Sequence, residues 1–180
     1  NAGHKLVTAN PAREVKELVL SQIPSGFVHY GAVCVMGSGM AIDPVALFNE
    51  RCNIEDQGFG SFSHVFISER ALMITPLEIA RDGAQETSRE ESGSEKIGTT
   101  RKGVGPCYAN AANRCGFVIG DLKNGVDAFV IEYNKRYGDE APLTDEYIGE
   151  LENFFILWED YIVSPLDIMD LLVSRERLCI

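Results

Sequence analysis

Between Ile97 and Pro106 the chain reads Ile97-Gly98-Thr99-Thr100-Arg101-Lys102-Gly103-Val104-Gly105-Pro106, which sets three glycines, two hydroxyls and two cations in ten residues just ahead of a helix start. Glycine lets backbone amides come close to an anion, threonine hydroxyls add hydrogen bonds, and Arg or Lys neutralises charge. That is the chemistry of a phosphate cradle, although an ordinary glycine-rich loop can have the same composition. A second constellation stands at Asn1-Ala2-Gly3-His4. His4 carries an imidazole, a side chain able to act as acid or base. Gly3 leaves the neighbouring carbonyl approachable by a cation, and Asn1 offers both a donor and an acceptor. Taken alone, a histidine in this place reads as a structural side chain.

The composition sets bounds on the ligand. A chain of 180 residues with 45% hydrophobic and 24% charged content is large enough for a real core and has the balance of a globular protein. Its net charge of -11 argues against wrapping a nucleic-acid polymer or lying on an anionic membrane. The charge is uneven: acids dominate from Asp139 to Asp170, whereas the segment from Lys96 to Arg114 holds Lys96, Arg101, Lys102 and Arg114 and no acid. A local basic pocket in an acidic protein suits a small anion. Five cysteines (Cys34, Cys52, Cys107, Cys115 and Cys179) form no CxxC pair and read as reduced thiols, and three histidines offer little for a zinc site. No apolar run approaches a membrane span and no signal peptide is evident, so the expected location is the cytoplasm.

The elements that must position these residues follow from the pattern. Leu18–Leu20 and Ala32–Met36 are apolar runs between turn residues and predict short buried strands. Asp43-Pro44 predicts an N-cap and first helical residue for a helix through Val45, Leu47 and Phe48. Val65–Ile67 and Leu72–Ile74 predict two more strands around Ser68-Glu69-Arg70. From Arg81 to Lys96 the chain is polar, Glu/Ser-rich from Gln85 to Glu95, and reads as a mobile surface excursion. Pro106 is expected as the first helical position of a helix over Cys107–Arg114, with Gly116 supplying the left-handed stop. Beyond Leu122 the chain is expected to be helical to the end: Ala128–Arg136, then Asp145–Tyr161 with Ile148, Leu151, Phe155 and Trp158 on one stripe, then Asp167–Leu172. The predicted class is α/β, a mostly parallel sheet flanked by helices, with a helical subdomain in the C-terminal third. The boundaries are one partial domain over 1–180: an α/β core over 1–122, helices over 123–176, and the start of a further core strand at 177–180.

An ordered series carries a more specific signal. Asn1-Ala2-Gly3-His4, Gln22-Ile23-Pro24-Ser25-Gly26, Ile42-Asp43-Pro44 and Ile97-Gly98-Thr99-Thr100 are followed by Gly103-Val104-Gly105-Pro106, Tyr108, Arg114, Gly116 and Gly120-Asp121-Leu122. Together they resemble the adenylosuccinate synthetase family, GTP-dependent ligases that join L-aspartate to IMP. The likeness runs to about Leu122 and is loose in the helical region beyond. The family's Gly-Asp-Glu-Gly-Lys-Gly loop, with its catalytic aspartate base, does not occur in this sequence, and neither do the aspartate-binding and guanine-binding segments. The chain therefore reads as an internal piece holding part of the purine-monophosphate site, and one expected to bind ligand poorly and to catalyse nothing alone.

The resemblance implies a role for each matching residue. His4 is the general acid as the diphosphate leaves, and the carbonyl of Gly3 is a ligand of Mg²⁺. Asn1, Ala2, Gly3 and His4 border the purine, and Thr100, with Thr99 beside it, binds the 5′-phosphate. Arg114 binds the phosphate of the partner subunit's nucleotide, which implies a homodimer. A helix from Cys107 to Arg114 spans roughly 12 Å, so Arg114 lies at the far end from the phosphate loop, in keeping with that intersubunit role. Three departures stand out: Arg101 occupies a place where the family usually has Gly, Lys5 one where Thr or Ser is common, and the segment 85–95 looks long. Two other readings remain open in the sequence, a phage-type relative that ligates aspartate to dGMP with GTP or ATP as donor, and a non-catalytic nucleotide-binding or dimerisation module.

Overall fold

The computed structural model describes residues 3–29, 31–91 and 101–174. Asn1, Ala2, Thr99, Thr100 and the terminal residues 177–180 lie outside them.

The chain opens with an antiparallel hairpin, β1 (His4–Ala9) and β2 (Val15–Leu20), in which His4 faces Leu20 and Ala9 faces Val15. Leu18–Leu20 is thus not a strand buried on both faces, as its apolar run suggested. Leu18 and Leu20 point into the core and Val19, between them, is 67% exposed, because alternate residues of a strand face opposite ways. A parallel three-stranded sheet is formed by β3 (Cys34–Met36), β5 (Val65–Ser68) and β8 (Ile162–Val163), in the order β3-β5-β8. A second joins β4 (Ala41–Ile42) in parallel to β6 (Leu72–Met73), and β6 antiparallel to β7 (Phe117–Val118). The class is the α/β one expected, with β8 as the correction to a chain helical to its end: an Ile-Val pair at 162–163 returns to the sheet beside β5.

Six α-helices surround these strands among the described residues. Helix α1 (Pro44–Asp56) starts as predicted, with Asp43 Oδ1 accepting from the Ala46 amide at 3.0 Å and Pro44 in the first turn. Helix α2 (Pro76–Glu91) overturns the mobile excursion as far as Glu91. Its polar residues form a helix because the buried face is itself polar: Glu78 and Asp82 are 1% and 5% exposed beside Leu77. Helix α3 (Val104–Ala112) begins before Pro106, with Gly103 as its N-cap, and α2 packs along it. Helices α4 (Val126–Tyr137), α5 (Asp145–Trp158) and α6 (Pro165–Ser174) follow.

The core joins the hairpin, the sheets and α1, α4 and α5 through Phe27, Phe62, Phe117, Tyr133, Phe154 and Trp158. The α5 stripe is the packing surface expected, with Leu151, Phe154 and Trp158 fully buried and Phe155 half-buried. A smaller cluster of Ala41, Ile74 and Cys107 seats the start of α3 on β4 and β6. Two recognised motifs prove to be joints of the fold. Gly120 lies so close to Glu69 that a Cβ would fall 2.8 Å from its carbonyl oxygen, and Tyr108 donates its hydroxyl to the Gly39 carbonyl at 2.8 Å. Cys34 and Cys107 are buried and Cys52 and Cys115 half-buried, all four with free thiols; burial pushes the Cys107 thiol up to about 12.

Candidate functional site

Four segments far apart in sequence line one cleft of about 280 Å³: Gly3 ahead of β1, Ser21 and Gln22 after β2, Asp43 at the head of α1, and Arg101 and Lys102 just before α3. Ile74, Ile79 and Val104 supply apolar wall.

The wall formed by Ser21 and Gln22 is held by a buried carboxylate. Glu50 of α1, 8% exposed, accepts from the amides of Ser21 at 2.8 Å, Gln22 at 2.9 Å and Ile23 at 3.1 Å, and from the Ser21 hydroxyl at 2.8 Å. Hydrogen bonds to a charged group are the stronger kind, and a buried carboxylate needs them. The Gln22 side chain pairs with the Asp43 backbone like a strand neighbour, accepting from its N–H at 2.8 Å and donating to its carbonyl at 3.1 Å. Burial raises the pKa of the Asp43 carboxyl, against the opposing pull of the Ala46 and Val45 amides; Glu150 also raises it, and Lys102 lowers it.

The basic wall is fixed from beneath by α2. Gly103 has φ 74° and donates its N–H to Asp82 Oδ2 at 2.9 Å, while a Cβ on it would fall 2.9 Å from the Glu78–Ile79 backbone. Only glycine fits there. Glu78 accepts from the Thr75 amide at 2.8 Å and hydroxyl at 2.5 Å, a cap at the start of α2, and from Asn110 Nδ2 of α3 at 2.7 Å. Arg81 continues the chain of bonds, from Asn110 Oδ1 at 3.2 Å to Glu140 at 2.7 Å. Two helices are thereby locked together under the loop.

The residues named from sequence are distributed as follows. Gly3 lines the cleft, and His4 stands directly beside it as the first residue of β1, on the exposed surface. Arg101, the first described residue after Thr100, is in the cleft wall. Arg114 is not brought to this cleft. It is exposed at the far end of α3, a nine-residue helix about 13 Å long. The helix closes with the Arg114 amide bonded to Ala111 O at 3.1 Å and the Cys115 amide to Asn110 O at 3.0 Å. Arg114 itself, with φ 58°, takes the left-handed position expected for Gly116. Glu50, Glu78 and Asp82 were missed. Their signal is an acid set among buried positions: Glu50 lies between Leu47 and Ile54 on the inner stripe of α1, and Thr75-x-x-Glu78 has the spacing of a capping box.

Among the described residues no three His, Cys, Asp or Glu side chains gather as metal ligands, and no helix is long and apolar enough to cross a membrane. Gly3 lines the cleft, and its peptide carbonyl is an oxygen donor of the kind Mg²⁺ prefers.

A family model described as adenylosuccinate synthetase matches residues 1–163. Among curated relatives, the adenylosuccinate synthetase of Brevibacillus brevis is 45% identical over 146 residues, which cover 81% of this chain and 32% of that protein. That of Tolumonas auensis is 32% identical, over 94% of this chain and 40% of its own length. Among solved structures, the fully ligated adenylosuccinate synthetase of Plasmodium falciparum superposes with a TM-score of 0.74 at 26% identity, covering 98% of this chain and 41% of that one. The chain spans 32% and 40% of the length of these two curated relatives.

Proposed function

The chain belongs to the adenylosuccinate synthetase family, and from this membership we propose that it supplies part of the purine-monophosphate site of a cytoplasmic ligase joining L-aspartate to IMP at the expense of GTP. The observation that carries the reading is the convergence of Gly3, Gln22, Asp43 and the Arg101-Lys102 pair on one cleft. Residues up to about 122 bear this site, and the segments after them pack into the same core and sheet.

In the proposed reaction a base outside this chain takes the N1 proton of IMP, the 6-oxygen attacks the γ-phosphorus of GTP, and GDP leaves. The amine of aspartate then adds at C6, loses a proton, and displaces inorganic phosphate. Asn1 and Ala2 border the 6-oxygen, and His4 holds a proton for the oxygen of the departing diphosphate, a task suited to imidazole near neutral pH. Thr100, with Thr99 beside it, binds the 5′-phosphate, on the loop that Asp82 and Gly103 hold in place. Mg²⁺ beside the Gly3 carbonyl would neutralise charge between phosphates. Positioning and charge neutralisation are most of what phosphoryl transfer requires.

Arg114 acts in the partner's site of a homodimer, since α3 separates it from its own cleft. Mixing two inactive variants tests this in the product of the full reading frame that encodes the chain. His4→Ala and Arg114→Ala each abolish most turnover. A mixed dimer regains one site with both residues intact, so activity returns on mixing. Failure to recover in verified mixed dimers would place Arg114 in its own subunit's site or outside any site.

A further inference from the structure

We propose that Arg101 is a specificity-determining residue of the cleft, gripping the phosphate monoester of the bound nucleotide; this rests on the nucleotide reading of the cleft above. Arg101 lines the cleft in the left-handed backbone region, with φ 53°. An L-residue is disfavoured there and glycine is not. The chain is fixed on the downstream side of this residue. Two residues on, Gly103 is pressed against the Glu78–Ile79 backbone and its amide is tied to Asp82, itself 5% exposed. Glycine would therefore serve the backbone at 101 better, and the side chain is retained for something glycine lacks.

That something is a permanently charged, planar guanidinium at the wall of a cleft. Lys102 beside it lines the same cleft, in a protein whose net charge is -11. A guanidinium presents parallel N–H donors that match two oxygens of one phosphate, whereas an ammonium is a point charge. Two adjacent cations of these kinds fit a dianionic monoester, with the fork setting its orientation and Lys102 adding charge. Gln22 and Asp43 line the same cleft, and Lys102 also acts on the Asp43 carboxyl.

The test compares inosine 5′-monophosphate with inosine by calorimetric titration of the full reading-frame product, as wild type, Arg101→Gly and Arg101→Lys. Arg101→Gly is expected to weaken the monophosphate about tenfold, the scale of one charge-assisted contact, to leave inosine unchanged, and to keep or raise the melting temperature. Arg101→Lys falls between. Equal monophosphate affinity in Arg101→Gly overturns the inference, and so does an equal loss for inosine, which marks a structural role. A wild-type protein that prefers the monophosphate no more than inosine refutes the nucleotide reading, and the inference with it.

Discussion

Asp43 shows how one residue serves both the fold and the cleft. Its carboxylate caps α1 through the Ala46 amide, and burial holds its pKa above the ordinary 3.8. A raised pKa means that the folded chain binds this proton more tightly than the unfolded chain does. The group's contribution to stability therefore falls as pH rises from about 3.8 through the raised value, above which the penalty is complete. Asp43→Asn keeps an amide oxygen for the cap and removes the ionisation. In urea unfolding the variant should gain on wild type as pH goes from about 4 to about 7, and an advantage that stays flat with pH would contradict the burial argument. Asp43 was legible as a cap from the Asp-Pro pair, but its place in the cleft was not, because that depends on Gln22 gripping its backbone across 21 residues. Arg114 was legible as the residue at the end of a helix. Its left-handed backbone was not, because the closing bonds of α3 fix which residue turns, at a cost of about 1–2 kcal/mol for a side chain that is not glycine.

At the scale of elements, the two glycines flanking Val104 have opposite roles that their shared motif conceals. Gly103 is wedged against α2 with φ 74°, while Gly105 lies inside α3 with nothing within 4 Å of where a Cβ would stand. Gly103→Ala should cost upwards of about 2 kcal/mol, combining backbone strain with a clash. Gly105→Ala should shift stability by less than about 1 kcal/mol, because the helix preference of Ala is offset by the Pro106 ring, which disfavours helical backbone in the residue before it. Chemical denaturation of both variants measures this, and similar shifts in the two would refute the packing described. The strands at 34–36 and 65–67 and helix α1 were readable because their apolar runs and caps are local. Helix α2 was hidden because it buries Glu78 and Asp82 through hydrogen bonds to α3 and the loop, leaving few apolar residues to mark its inner face. The hairpin partner β1 was hidden too: Val7, its most apolar exposed residue, is 65% exposed, so its alternation signals no core.

For the molecule as a whole, charge distribution and topology agree. Acids crowd the region from Asp139 to Asp170, and the cleft takes its cations from the acid-free segment between Lys96 and Arg114. The parallel sheet β3-β5-β8 draws in the chain after α5, so the helical layer is tied to the core through β8 as well as through α1. The family resemblance was legible because it rests on an ordered series of short motifs. Which of them border the cleft was not, since Tyr108 and Gly120 serve packing whereas Gln22 and Asp43 line it. The measurement that bears most directly on the central claim is aspartate-dependent formation of adenylosuccinate by the full reading-frame product, supplied with GTP, Mg²⁺ and either IMP or dGMP. Product from IMP, falling with Arg101→Gly chiefly through a higher KM, is the expected result. Turnover confined to dGMP, or none with either nucleotide in a folded protein, would contradict the assignment of this cleft to IMP.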